Sequence, residues 1–346
     1  MSKLVSILIP AYNAEKWIRY TIESALSQTW PRKEIIIVND GSRDKTFEIT
    51  KQFESKSVKV ISQQNKGASA TRNEALRYAQ GDYIQWLDAD DLLAPNKISE
   101  QMKIAETDKS NLILYSSCHG TFYWRQKKAS FVPNSLWQDL PPLDWILIRF
   151  NKGYWIQPSC WLISRKLAEL TGPWNERLSR DDDGEYSIRL VAASEFVKFV
   201  PTAVVYYRYG MKGSLSSLRT LKCFASHNLS KNLYVDYLLG AIKNRETVEA
   251  SAALLNRNIN FLHYFSFDDK ISQLIEENKK RIRELGLEVK LNPVSKSFKL
   301  SRMVLGIKKS AELRDYFWRT NLSIKRRWDQ FLWLLEKKNS ADRINE

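Results

Sequence analysis

Apolar and polar positions follow two periods along the first hundred residues. Runs that are mostly apolar on both faces, 4–9, 34–38, 58–61 and 82–87, predict β-strands. Between them the apolar residues recur at helical spacing. Over 14–28 Trp17, Ile18, Thr21, Ile22, Ala25 and Leu26 share one face; 44–53, capped near Ser42, and 68–79 read as two further helices, and a fourth opens at Pro95. This alternation predicts βαβ units and a parallel sheet covered on both faces, an α/β fold. Residues 110–205 are less regular, with strand-like runs at 111–117 and 196–205, a helix near 181–193, and many tryptophans between. Beyond residue 215 the strand signal nearly vanishes. Segments 217–264, 269–285 and 309–338 read as helical, separated by a turn at 265–269 and a linker containing Pro293. A catalytic domain over 1–215 and a helical, basic region over 216–346 are expected.

Each early strand ends in a polar cluster: Pro10-Ala-Tyr-Asn13, Asn39-Asp-Gly-Ser42, Gln63-Gln-Asn-Lys-Gly67 and Asp88-Ala-Asp-Asp91. The carboxyl ends of a parallel sheet lie along one edge, where ligands bind, so four distant clusters converge on one crevice. Asp88, Asp90 and Asp91 would repel one another unless a cation or donors compensate. Oxygen-only ligands on a loop suit Mg²⁺ or Mn²⁺ shared with substrate phosphates. The same acids also suit the N-terminus of the following helix. Asp40 can accept hydrogen bonds from a base or a ribose, or serve the turn before Gly41. Lys66 and Arg72 could meet a diphosphate, or be a loop cation and a surface arginine.

A second acidic cluster, Arg180-Asp181-Asp-Asp183-Gly-Glu185, opens an amphipathic helix and holds more acids than capping needs; a general base is the functional reading. Neither GxGxxG nor GxxxxGK[ST] occurs, which argues against dinucleotide dehydrogenases and P-loop NTPases, and there is no GxSxG elbow. Cys118, Cys160 and Cys223 are scattered, without a CxxC pair, and read as core residues of a reduced, cytosolic protein.

Apolar residues at 43% and aromatics at 12% supply a core and exclude wholesale disorder. The net charge of +15 is unevenly spread. Residues 1–205 hold 27 Lys and Arg against 24 Asp and Glu, residues 206–346 hold 27 against 15. No window offers the 18 consecutive apolar residues of a membrane span, and the run at the start is too short for a signal peptide. Charge and aromatics together allow a nucleic-acid-binding protein, but no recognisable module for it is present, and the acidic clusters would repel phosphates without a cation. No nucleic-acid partner is expected.

In their order these motifs resemble the inverting family 2 glycosyltransferases of GT-A fold, over about residues 4–208. The resemblance rests on Ser6-Ile-Leu-Ile-Pro-Ala-Tyr-Asn13, Ser27-Gln-Thr29, Val38-Asn-Asp-Gly-Ser42 with Asp44 and Thr46, Asn65-Lys-Gly67 and Ala70-Thr-Arg-Asn73. Gly81-Asp82, Leu87-Asp-Ala-Asp-Asp91, Gly172-Pro-Trp174 and Asp182-Asp183 complete it. It implies that Pro10, Tyr12 and Asp40 hold a nucleotide base, usually uracil, hence a UDP-sugar donor, with Arg72 near the nucleotide; Lys66 is placed on the donor side by the loop reading above. It implies Asp88 near the ribose, Asp90 as ligand to Mg²⁺ or Mn²⁺ together with Asp88, and the base at Asp183 or Asp182, with Asp181 adjoining. Where the family often carries Arg-x-His and then serines, this chain has Arg208-Tyr-Gly210 and Ser214 to Ser217, without the histidine. The QxxRW motif of processive synthases is also missing, which implies one sugar per event. The implied acceptor is a glycan or a lipid-linked glycan of cell-surface synthesis, with Tyr154, Trp155 and Gln157 as acceptor candidates. A transferase-like protein without activity is the alternative within the same fold, against which the intact acids argue.

The tail lies outside the resemblance. Between 316 and 338 it combines Tyr316, Phe317, Trp318, Trp328, Phe331 and Trp333 with a basic complement. Ile324, Trp328, Phe331, Leu332 and Leu335 fall on one face, Lys325, Arg326 and Lys337 largely elsewhere. That pattern suits a helix in the interface of an anionic membrane, on its cytoplasmic face, and equally a terminal helix packed on the catalytic domain.

Overall fold

A computed structural model of the chain describes residues 2–210, 219–266, 268–290 and 296–342, with side chains not described at some positions of the last segment. The run Ser214 to Ser217 and Pro293 lie outside the described residues. Contacts divide the chain into two units, one of Met1–Thr121 with Ser130–Arg208, the other of Phe122–Ala129 with Tyr209–Glu346.

The first unit is built on β1 (Val5–Ala11), β2 (Lys33–Asp40), β3 (Val58–Gln63) and β4 (Tyr83–Trp86), connected through α1 (Ile18–Leu26), α2 (Thr46–Lys51) and α3 (Ala68–Tyr78). The strand order is β3-β2-β1-β4, all parallel, in the register Pro10 to Val38 and Asp40 to Gln63. Both faces of β1 and most of β2 are buried, which is what an apolar run without alternation requires. Two-residue β8 (Ile163–Ser164) closes the sheet antiparallel to β4.

A second, four-stranded sheet was not evident from the pattern. Its order is β5-β9-β6-β7, formed by β5 (Leu92–Leu93), β6 (Ile113–Phe122), β7 (Ser130–Phe131) and β9 (Phe196–Arg208). Two of these strands are two residues long, too short to leave a period in the sequence. Helices α4 (Lys97–Ala105), α5 (Pro142–Lys152), α6 (Arg165–Thr171) and α7 (Asp182–Ala193) complete the unit. Cys118, Cys160 and Cys223 are buried and free.

Two local expectations change. Ser42 does not cap the second helix: its Oγ accepts the Asn13 N–H at 3.0 Å, and Asp44 Oδ1 takes the Thr46 N–H at 3.0 Å. The helical stretch 217–264 is two helices, α8 (Leu221–Ala241) and α9 (Arg245–His263). They part where Asn244 and Thr247 form a capping box, each side chain bonded to the other's N–H.

The second unit continues with α10 (Asp269–Glu284) and α11 (Lys296–Asp342), the latter interrupted at Gly306, where φ is 74°. Asn228, Asn258 and Asn278 join α8, α9 and α10 through a buried amide network, Asn228 Oδ1 accepting from Asn258 at 2.7 Å and from Asn278 at 2.5 Å. No helix among the described residues is long and apolar enough to cross a membrane.

Candidate active site

The parallel register brings the carboxyl ends of β1 to β4 to one edge, and short polar loops there are stitched to each other. Asn13, in the left-handed region at φ 48°, donates its N–H to Ser42 and accepts the Arg43 N–H at 2.8 Å. These bonds knit the first strand-end loop to the second and leave Tyr12 about half exposed beside half-buried Pro10. Asp40 is buried. Its carboxylate accepts the backbone N–H groups of Lys66 (2.8 Å) and Gly67 (2.9 Å) and the Gln63 amide (2.8 Å), so it holds the 65–67 turn while the Lys66 side chain stays exposed. Gly41 has φ 66°, and a Cβ there would stand 2.8 Å from the Asn65 nitrogen, so only glycine fits.

Arg72 lies in the first turns of α3 and is buried. One guanidinium nitrogen donates to Asp182 Oδ2 and another to Asp88 Oδ1, both at 2.8 Å. The guanidinium lies over the Trp174 ring, 4.3 Å from its centroid, and Trp174 stacks on Tyr186 at 4.2 Å. Asn73 pins Trp174 by accepting its N–H at 2.7 Å and donating to its carbonyl at 3.0 Å. Burial works against the charge of Arg72, but Asp88 and Asp182 outweigh it and the guanidinium is held charged above its usual range. Arg72 therefore joins the two acidic clusters, about ninety residues apart in sequence, at one place.

Asp88, Asp90 and Asp91 occupy different environments. They do not cap the next helix: β5 intervenes and α4 begins at Lys97. Asp91 is fully buried; its Oδ1 accepts the Arg208 N–H at 2.8 Å and its Oδ2 has no hydrogen-bond partner among the described residues. Burial, then Asp90 and Asp88, push its carboxyl well above the usual range. Asp90 is less enclosed and rises to about 6 through burial and the neighbouring Asp88, partly offset by Arg208. The Arg208 guanidinium donates to the Asp90 carbonyl at 2.8 Å and lies 4.1 Å from the Trp17 ring centroid.

No three His, Cys, Asp or Glu converge as a preformed metal site among the described residues. The donors fit a hard cation that takes one or two carboxylates and completes its shell with phosphate oxygens and water. The like-charge penalty at Asp90 is what such a cation would relieve.

At the start of α7, Asp181 takes a left-handed conformation (φ 61°) as N-cap residue. The three consecutive acids then differ. Asp182 is buried against Arg72 and the Ser69 hydroxyl. Asp183 is half-buried, its Oδ1 accepting the adjacent Gly184 N–H at 2.8 Å, and burial followed by Asp182 and Asp181 pushes it up to about 6. Glu185 is spent in a two-pronged pair with Arg189.

Tyr154 and Trp155 are each partly exposed, and Gln157 is buried with neither amide atom hydrogen-bonded among the described residues. Trp155 lies 5.4 Å from the His119 ring and 5.5 Å from that of Tyr207. Tyr207 adjoins the acids: burial, then Asp91, Asp90, Asp183 and Asp88, raise its phenol well above the ordinary value. Burial lowers His119 to about 4, so the imidazole is neutral. Arg149, on α5, donates to the Tyr154 carbonyl at 3.1 Å and acts electrostatically on Asp183. Sequence reasoning missed His119, Tyr207 and Arg149; the Tyr-Tyr-Arg ending the last strand was the one available signal.

Three comparisons bear on this arrangement. The chain matches Glycosyl transferase family 2 over residues 6–171. It is 32% identical over 234 residues to the UDP-Glc:alpha-D-GlcNAc-diphosphoundecaprenol beta-1,3-glucosyltransferase WfaP of Escherichia coli, covering 67% of this chain and 87% of that protein. An uncharacterized glycosyltransferase of Rickettsia typhi is 42% identical over 115 residues, 33% of this chain, which spans only 36% of that relative's length. Among solved structures, S. aureus TarS 1-349 in complex with UDP-GlcNAc superposes with TM-score 0.64 at 17% identity, over 94% of this chain and 92% of that one. That likeness establishes the GT-A fold, and the extent of the match to WfaP establishes kinship: the chain is a glycosyltransferase of family 2.

Proposed function

We propose that the chain is a metal-dependent inverting transferase that moves one sugar per event from a UDP-sugar to an acceptor hydroxyl, in cell-surface glycan or glycolipid synthesis. The observation that carries this reading is Arg72 held between Asp182 and Asp88 at 2.8 Å each, which ties a donor-side acid to the helix start that carries the candidate base. Tyr12 and Pro10 would face the nucleotide base, Asp40 would shape the loop against it, and Asp88 would meet the ribose. Exposed Lys66 would face the diphosphate at the rim. Asp90, with Asp88, would hold Mg²⁺ or Mn²⁺, which when bound neutralises the charge on the departing diphosphate.

Asp183 is the proposed base. Its carboxylate takes the acceptor hydroxyl's proton as that oxygen bonds to the anomeric carbon from the face opposite the nucleotide. The bond from the anomeric carbon to the phosphate oxygen breaks with its electron pair leaving on UDP. Asp182 is engaged with Arg72, so protonating it would cost an ion pair. A carboxyl pushed up to about 6 is matched to proton abstraction near neutral pH. Tyr154, Trp155 and Gln157 would line the acceptor side, and the substrate named for WfaP supports a lipid-linked acceptor. That acceptor would bring the protein to the cytoplasmic face of a membrane, peripherally through 316–338.

The test is a panel of nucleotide-sugars assayed for hydrolysis and transfer with and without Mg²⁺ or Mn²⁺. One UDP-sugar is expected to be turned over only with the cation, and Asp90→Ala is expected to abolish both reactions. Turnover indifferent to the cation and to Asp90→Ala removes the proposal.

A further inference from the structure

Helix α11 has two apolar faces, and among the described residues one of them packs within its own unit. On that face Trp333 lies 5.2 Å from the Trp124 ring, and Leu322 lies against Gly210. Asp329 accepts the N–H groups of Trp124 (2.9 Å) and Arg125 (3.1 Å) and pairs with the Arg125 guanidinium at 2.6 Å. The helix is thereby anchored on the 122–129 loop, which fixes what its other side presents.

The other face carries Leu313, Phe317, Ile324, Trp328, Phe331 and Leu335, at spacings of three, four and seven that align along one stripe about 33 Å long. All six are exposed, Phe317 at 63%, Ile324 and Trp328 at 62% each. Trp328 and Phe331 stack on one another at 5.7 Å. At 100° per residue, Lys325 borders one edge of the stripe, Lys309 and Arg327 the other, all three exposed. The acids Glu312 and Asp329 fall away from it; Glu336 lies about 20° beyond Lys325 but is paired, like Asp329, with Arg125. Water is a poor partner for so long an apolar stripe, and a neutral protein partner would not need cations on both edges.

We propose that this stripe docks on an anionic lipid bilayer, the helix lying in the interface with its aromatic side chains among the acyl chains and Lys309, Lys325 and Arg327 at the headgroups. The inference gives residues to the peripheral placement proposed above and rests on that placement, not on the sugar chemistry.

The test is flotation of the full chain with vesicles of phosphatidylcholine alone, or with a third phosphatidylglycerol, beside donor hydrolysis in free solution. The wild type is expected to float with the anionic vesicles and to be released by salt. Lys325→Gln/Arg327→Gln is expected to weaken partitioning to anionic vesicles by roughly 25-fold, with little effect on neutral ones. Trp328→Asp/Phe331→Asp is expected to lose at least about tenfold on withdrawing two large apolar side chains. Donor hydrolysis is expected to be unchanged in both. Because the aspartates could perturb folding, Trp328→Phe serves as a second variant: quenching of tryptophan emission by brominated acyl chains is expected in the wild type and reduced in it. Undiminished flotation of both double variants overturns the proposal. So does a wild-type dimer in light scattering that Trp328→Asp/Phe331→Asp converts to monomer, since a second copy would then cover the stripe. Flotation without any donor hydrolysis would sink the sugar-transfer reading and leave this one standing.

Discussion

Arg72 gives one guanidinium nitrogen to Asp182 and another to Asp88, each at 2.8 Å, with all three side chains largely withdrawn from water. Removing the cation would leave Asp182 buried without its counter-charge. Arg72→Ala is expected to cost about 3–5 kcal/mol in stability, as breaking a buried pair from one side does, and to abolish donor binding. Arg72→Lys keeps the charge but lacks the fork that reaches both acids, so an intermediate loss is expected. Denaturant titration and calorimetric titration with UDP measure the two effects.

The neighbours Asp182 and Asp183 are expected to separate in kinetics. Asp183→Asn removes the proposed proton acceptor and should lower kcat by ~10²–10⁴-fold while UDP affinity stays near wild type. Asp182→Asn should act on the Arg72 pairing, lowering thermal stability and donor affinity together. Equal kcat losses with unchanged stability in both variants would contradict the assignment.

The pH profile follows from the same carboxyl. Asp183 acts only when ionised, and burial together with Asp182 and Asp181 pushes it up to about 6. Log kcat is therefore expected to climb with unit slope as pH rises toward that value and to level above it. Asp183→Asn should lose this limb, measurable in the residual rate.

The polypeptide shows its first unit plainly. Strands buried on both faces and helices with one apolar face leave local periods, and the polar clusters at the strand ends follow from where parallel strands stop. Arg72, Asn73 and Trp174 could be marked as motifs, but that Asn73 pins Trp174 beneath the Arg72 guanidinium depends on contacts about a hundred residues apart. The difference between Asp182 and Asp183 was illegible for the same reason, since both open one helix and only the direction of Arg72 tells them apart. The second sheet escaped because β5 and β7 are two residues each. His119 and Tyr207 escaped because their pairing with Trp155 is made across separate strands.

Gly41 offers a test of the donor loop that touches no charge. At φ 66° an alanine is strained by about 1–2 kcal/mol, and its Cβ would also meet the Asn65 nitrogen at 2.8 Å. Gly41→Ala is expected to lower donor affinity with kcat little changed at saturation, because the displaced turn belongs to the nucleotide side. A kcat loss at unchanged KM would place the loop in the chemical step instead.

Lys97 is wholly buried at the start of α4, its ammonium nitrogen bonded to Gln85 Oε1 and facing the Trp161 carbonyl at 3.4 Å. Burial lowers its pKa to about 7. Between that value and the ordinary lysine range the unfolded chain binds a proton that the folded chain has shed. Stability should therefore rise with pH across this window, by up to ~1.4 kcal/mol per pH unit. Below about 7 both states are protonated and the contribution is flat, with the cost of a buried charge fully present. Lys97→Met fills the same space without a proton to lose. Relative to it, the wild type should be least stable at neutral pH and gain steadily in alkali, as denaturant titrations of both proteins at a series of pH values would show. A constant difference across the series would mean that Lys97 keeps its charge in the folded core.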